Sequence, residues 1–282
     1  MTDIDRLFNR LDTLLDRLEP LLPPAPQPTD WDALAFRWRR PGYLQAVRHP
    51  QLLDPDALLG IERQKDLLAR NTEQFVRGLP ANNALLWGSR GTGKSSLIRA
   101  MLEQFSGQGL RLIEVERRDL ADLPEIVEPL YEREERFVIF SDDLSFEADD
   151  PSYKALKATL DGSVAAAPDN VLIYATSNRR HLLPEYQRDN LDSRSVDGEI
   201  HHGEAVEEKI SLSERFGLWL AFHPFRQDDY LAIVFHTLQR MKAPFDAEAV
   251  RPEALRFALE RGSRSGRVAA QFARDWAGRS AL

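Results

Sequence analysis

Residues Gly88 to Ser95, GSRGTGKS, set two glycines, a lysine and a hydroxyl side chain in the spacing G-x-x-x-x-G-K-[ST]. That order suits phosphate binding. Gly91 and Gly93 let the main chain come close to an anion, Lys94 reaches the β and γ phosphates of a nucleotide, and the Ser95 hydroxyl can ligate Mg²⁺. Backbone N–H groups from Ser89, Arg90 and Thr92 through Ser96, with the N-terminus of the helix that follows, complete the cradle. Two more polar clusters fall at comparable places. RFVIFSDD delivers Asp142 and Asp143 just beyond an apolar run, where Asp142 would hold the metal and Asp143 would orient the attacking water. VLIYATSN delivers Asn178, an amide able to bond a γ-phosphate or a lytic water. Lys94, Asp142 and Asn178 stand 48 and 36 residues apart, each after an apolar stretch.

Five such stretches recur: Ala84 to Trp87, Leu110 to Glu116, Phe137 to Phe140, Val171 to Thr176 and Leu218 to Phe222, with helical patterns between them. Short, continuously apolar runs alternating with helices predict a five-stranded parallel sheet covered by helices on both faces. Ligands of such sheets bind at the carboxyl ends of the strands, which is where the lysine, the acids and the amide fall. From Pro224 to Leu282 the pattern is helical only and reads as a small lid. The expected division is therefore 1–54 as an N-terminal helical extension, 55–223 as the α/β nucleotide-binding domain and 224–282 as the helical lid.

Ile4, Leu7, Leu11, Leu14, Leu15 and Leu18 recur at helical spacing, and Pro20 ends that pattern. Pro20 to Asp30 holds five of the 17 prolines, which predicts an extended spacer. Asp30 to Pro50 mixes Trp31, Phe36, Trp38 and Tyr43 with Arg37, Arg39, Arg40 and Arg48. We expect a short helix docking its aromatic face on the main domain, with nucleic-acid contact through the arginines as the lesser reading.

Composition narrows the rest. The chain has 282 residues, 43% hydrophobic and 29% charged, with no apolar run long enough to span a bilayer and no signal-peptide core, so a soluble cytoplasmic protein without membrane contact is expected. With no cysteine, thiolate metal sites and cysteine nucleophiles are excluded. A formal charge of −8 leaves nucleic acid only a local patch to bind.

GSRGTGKSS resembles the Walker A motif, FVIFSDD Walker B and YATSN the sensor-1 strand of AAA+ ATPases. SERFG stands where that superfamily carries an arginine finger, implying this role for Arg215, and GSRSGR resembles sensor 2, implying that Arg264, in preference to Arg267, touches the γ-phosphate. LLGIERQ stands where AAA+ proteins contact adenine, which would lay Leu59, Gly60 and Ile61 against the base. More narrowly, residues 55 to 280 resemble a bacterial AAA+-type ATP-binding family of unknown function. The resemblance implies ATP and Mg²⁺ as ligands, hydrolysis to ADP, a homo-oligomer and an unidentified protein partner to be remodelled or loaded. The DD pair departs from the DE of most AAA+ proteins and is similar to the initiator and helicase-loader branch.

Two other classes stay open on the residues: a P-loop small-molecule kinase, whose helical part would cover a substrate, and a non-catalytic ATP-dependent switch. GTP is disfavoured because no N-K-x-D string follows the Walker elements. His201, His202 and Glu204 offer no spaced third ligand and read as a solvated loop.

Overall fold

The computed structural model describes residues 28–146, 150–160, 168–180, 182, 194–196, 199–201 and 214–281. The amphipathic pattern of residues 1–19 and most of the proline spacer lie outside these. Residues 31–282 form one compact unit, and everything below concerns it.

Its first elements are β1 (Ala35–Arg39) and β2 (Tyr43–Ala46), followed by α1 (Glu62–Val76), β3 (Ala84–Gly88), α2 (Lys94–Phe105) and β4 (Leu110–Glu114). Then come α3 (Leu123–Val127), β5 (Arg136–Ser141), α4 (Pro151–Leu160), β6 (Val171–Ser177), a two-stranded ribbon β7 (Arg194–Val196) and β8 (Glu199–His201), and β9 (Leu218–Phe222). Helices α5 (Gln227–Arg240), α6 (Ala247–Glu260) and α7 (Gly266–Ser280) close the chain. Among the described residues no helix is long and apolar enough to cross a membrane.

All five expected strands are present, in the order β4-β5-β6-β3-β9, each parallel to its neighbours. The side chains alternate between two apolar layers, as the two-residue period of a strand requires. Ala84, Leu86, Val138, Phe140, Leu172 and Tyr174 face α1, α2 and the C-terminal helices. Leu85, Phe137, Ile139, Val171 and Ile173 face the opposite layer, with Leu123, Ile126 and Leu156.

The sheet has seven strands rather than five, because the arginine and aromatic stretch is a β-hairpin and not the expected helix. β1 lies parallel to β4, and β2 turns back antiparallel onto β1. The reason is visible in AFRWR: Phe36 and Trp38 enter the second apolar layer while Arg37 faces the other way, a period of two that a helix would scramble. Arg37 sits in register with Glu114 and grips it through Nε at 2.8 Å and Nη2 at 2.6 Å. Trp38 Nε1 donates to Asp122 Oδ2 at 3.0 Å, and Arg40 Nε pairs with the buried Asp119 at 2.9 Å. The stretch extends the main sheet by two strands in place of the expected docked helix.

One polar knot crosses the first layer. The buried Tyr174 hydroxyl on β6 meets Asn71 Nδ2 at 3.0 Å and Thr72 Oγ1 at 2.9 Å, both on α1. Burial raises its pKa, so it stays protonated and anchors the helix to the sheet behind the nucleotide-type loop.

Candidate functional site

β3 lies between β6 and β9, while the next strand in sequence, β4, lies three places away. The strand order therefore reverses beside β3, the place where open α/β sheets bind ligands. The loop from Gly88 to Gly93 leaves the strand here and enters α2. Gly88 has φ +129°, and a Cβ there would stand 2.0 Å from the carbonyl oxygen of Phe222, so only glycine lets the loop leave between two parallel strands. Lys94 begins α2, and its buried ammonium donates to the carbonyls of Gly88 and Ser89, each at 2.8 Å, and to Asn178 Oδ1 at 3.2 Å. Burial lowers its pKa, Asp142 and Asp143 pull it back up, and Arg90 and Arg267 add to the lowering.

The acids stand opposite. Asp142 and Asp143 follow the last residue of β5, and Asp142 Oδ1 accepts from Ser95 Oγ at 2.6 Å and from Thr176 Oγ1 at 2.5 Å. Asp143 adopts φ +54°, a left-handed conformation uncommon outside glycine and best tolerated by Asp and Asn. Its Oδ1 accepts from Asn178 Nδ2, and its Oδ2 lies 3.9 Å from Arg90 Nη2. Five of the expected residues thus meet at one place: Lys94, Asn178 and Asp143 form one hydrogen-bonded group and Ser95 and Asp142 another, and Thr176 Oγ1 joins the two.

Ser95 and Asp142 present oxygens 2.6 Å apart. Hard cations such as Mg²⁺ take oxygen ligands, and adjacent ligands of an octahedron with 2.0–2.1 Å bonds lie about 2.9 Å apart. The donor set suits Mg²⁺ held together with phosphate oxygens. The loop, with left-handed Gly91 and Gly93, suits the phosphates themselves.

A cleft of about 1160 Å³ opens over this chain of residues. It is lined by Arg90 through Ser96, by Leu58, Leu59 and Ile61 before α1, and by Arg267, Gln271 and Arg274 on α7. Gly60 does not line it; at φ +74° it packs against the Phe225 ring. Ser89 also faces away, its carbonyl turned to Lys94 and Thr92. The C-terminal helices reach the loop at one close contact, where a Cβ on Gly91 would stand 2.9 Å from Ser265 Oγ and 3.2 Å from Arg267 Cβ.

Of the two sensor-2 candidates, the structure brings Arg267 and not Arg264 to the cleft. Ser265 is the N-cap of α7, accepting from the Val268 N–H at 3.3 Å, which turns Arg267 into the first helical turn and the cleft. Arg264 precedes the cap and lines a separate hollow with Leu255, Leu259 and Pro224. Arg215 lines neither. It precedes β9 at the end of the sheet opposite the loop, since Leu218 pairs with Ala84 and Phe222 with Gly88.

Thr176, Arg99 and Arg274 escaped the sequence reading. A threonine inside an apolar strand looks like ordinary β composition, and its only signal was its place two residues before Asn178. Arg99 and Arg274 show themselves as cleft residues only through helical spacing, Arg99 four positions after Ser95 and Arg274 seven after Arg267.

A five-stranded parallel core ordered 4-5-6-3-9, a phosphate-type loop after β3 where the strand order reverses, and helices closing over the strand ends define the fold of AAA+ ATPases. Solved structures agree. RuvB of Thermotoga maritima, described as a Holliday junction branch migration motor, is 18% identical with a TM-score of 0.53, over 78% of this chain and 63% of that one. The AAA domain of FIGL-1 in complex with ADP is 20% identical with a TM-score of 0.50, over 80% and 73%. The ORC1 protein of Aeropyrum pernix in complex with DNA is 18% identical with a TM-score of 0.50, over 76% and 58%. The chain thus spans less than two thirds of the RuvB and ORC1 chains. No curated protein matches it. Residues 31–280 match the family described as protein of unknown function DUF815, and the chain belongs to that family.

Proposed function

We propose that this protein binds ATP with Mg²⁺ and hydrolyses it to ADP as a homo-oligomer in the cytoplasm, using the cycle to remodel or load a protein partner. One observation carries the reading: Lys94, Ser95, Asp142, Asp143 and Asn178, delivered by three separate strand ends, contact one another on the floor of a single cleft. Mg²⁺-bound ATP would supply a γ-phosphoryl group open to attack by water. Lys94 and the N–H groups of residues 90–96 hold the phosphates, while the Ser89 N–H is taken by the Phe222 carbonyl, and Ser95 and Asp142 are the metal ligands. Asp143 takes the water, and Asn178 fixes that carboxylate. Arg267 reaches in from the lid, residues 224–282. Leu58, Leu59 and Ile61 offer the base an apolar wall, and the ADP bound to the FIGL-1 domain favours adenine. Arg215, on the far end of the sheet, serves the cleft of a neighbouring subunit.

RuvB and ORC1 are described with DNA or its junctions. In this chain Arg37 and Arg40 are engaged by Glu114 and Asp119, which favours a protein over nucleic acid as the partner. The test is ATPase rate as a function of protein concentration. Specific activity rising with assembly supports the reading. ATP bound but never turned over supports a switch, and transfer to a small acceptor by a monomer supports a kinase.

A further inference from the structure

Thr176 is the residue before the last of β6, and its side chain is buried. Its hydroxyl oxygen accepts the Asp143 N–H at 2.9 Å, and its proton goes to Asp142 Oδ1 at 2.5 Å. The direction is forced, because a backbone N–H can only donate and an ionised carboxylate can only accept. The main-chain carbonyl of Thr176 accepts the Leu144 N–H at 2.7 Å, and the neighbouring Ser177 Oγ donates to the Leu144 carbonyl at 2.7 Å. The turn carrying both acids is thus stapled to β6 by consecutive bonds, with the Thr176 hydroxyl at its centre.

We propose that Thr176 is a positioning residue: its hydroxyl holds Asp143 in the left-handed conformation that aims its carboxylate at Asn178, and keeps the Asp142 carboxylate turned toward Ser95. This rests on the proposed roles of Asp143 and Asp142 in hydrolysis. Without the hydroxyl, nothing on the side-chain side of β6 answers the Asp143 N–H, and a residue at φ +54° relaxes unless its surroundings hold it. Asp142 would lose one of its two hydroxyl donors and keep Ser95, which the metal must share.

Thr176→Val and Thr176→Ser separate this role from packing. Valine keeps the shape and the backbone bond to Leu144 but removes the hydroxyl; serine keeps the hydroxyl and loses a methyl group. Thr176→Val should lower kcat by about 10²-fold, the size expected from misplacing a reacting group by roughly 1 Å, with a KM change far smaller than that. It should also raise the Mg²⁺ concentration needed for tight ATP binding in calorimetry. Thr176→Ser should stay close to wild type in both. Combined with Asp143→Asn, Thr176→Val should add little further loss of kcat, because both act through one group. The proposal is overturned if Thr176→Val turns over like wild type while Asp143→Asn is dead, if serine is impaired as much as valine, or if the two losses multiply. If Asp143→Asn alone keeps the wild-type rate, the base assignment itself fails, and the positioning of Asp143 falls with it.

Discussion

Lys94 and Asn178, 84 residues apart in sequence, share a 3.2 Å hydrogen bond across the floor of the cleft. Asn178 turns its other amide atom to Asp143. One side chain at the end of β6 therefore contacts both the cation proposed to meet the phosphates and the acid proposed to meet the water. A phosphate arriving at Lys94 must displace the two loop carbonyls and compete with Asn178. Loading of the loop is thereby linked to the freedom of Asp143.

Lys94→Ala should weaken ATP binding by about 2 kcal/mol, roughly 30-fold, because a charge-assisted contact is lost. Calorimetry checks this, and unchanged affinity would sink the assignment. The same side chain makes stability depend on pH. Burial lowers the Lys94 pKa below 10.5, so between the lowered value and 10.5 the unfolded chain binds more protons than the folded one. Stability should rise with pH across that window, and the rise should shrink in Lys94→Ala when denaturant unfolding is compared at successive pH values.

The two aspartates should separate binding from chemistry. Asp143→Asn keeps the amide geometry around Asn178 and should retain ATP while losing turnover. Asp142→Asn removes a hard oxygen ligand and should also impair the Mg²⁺-dependent part of binding. Binding isotherms with and without Mg²⁺, set beside steady-state rates, decide it. Equal effects of the two substitutions would contradict the division of labour.

Much of this site was readable in the chain because its chemistry sits on strand ends. Lys94, Asp142 and Asn178 each follow an apolar run long enough to be unmistakable, and a parallel sheet brings such ends to one edge. The hairpin was not read, because arginines between Phe36 and Trp38 look like the wet face of an aromatic helix until Glu114 and Asp119, 77 and 79 residues beyond Arg37 and Arg40, are seen to take their charge. Arg267 was ranked below Arg264 for a smaller reason. The choice turns on where α7 begins, and only the Ser265 cap, seen in the structure, puts Arg267 in the first turn facing the cleft.

The hairpin arginines should matter to stability before they matter to nucleic acid. Replacing Arg37, Arg39 and Arg40 by alanine strips the buried Asp119 of its close partner and frees Glu114, an expected loss of about 1–3 kcal/mol. Much of this should come from Asp119, since the Arg37–Glu114 pair is still partly open to solvent and such pairs are worth under about 1 kcal/mol. Denaturant titration measures the loss. Salt-dependent DNA binding by the wild type that disappears in the triple variant would reverse the assignment.

Arg267 and Arg264 offer a clean contrast within one turn of chain. Arg267→Ala removes a guanidinium from the cleft and should weaken ATP binding or slow turnover by roughly 10- to 100-fold. Arg264→Ala alters the neighbouring hollow, which shares Arg90 and Thr92 with the cleft, and should leave both at the wild-type value. Kinetics on the pair settle which arginine the lid contributes. The opposite ranking would restore Arg264.

Arg215 is expected to act on a neighbouring subunit. It precedes Leu218, which pairs with Ala84 at the start of β3, so a full strand of five residues, roughly 16 Å, separates it from the Gly88 end of its own sheet. It does not line the cleft above its own Lys94. A guanidinium brought to the cleft of an adjacent copy would stabilise charge spreading over the transferring phosphoryl group, an effect worth about 10³ to 10⁵ in rate in related systems. Arg215→Ala should therefore bind ATP normally and fail to turn it over. Lys94→Ala keeps an intact Arg215 and lacks a working cleft, so mixing the two variants should restore activity that neither shows alone. A role confined to its own subunit, such as a surface contact beside Glu214 worth under about 1 kcal/mol, predicts no such rescue. Rates of the mixture, read beside a sedimentation measurement showing that the subunits co-assemble, decide between them: a dead mixture in a proven co-assembly ends the trans reading.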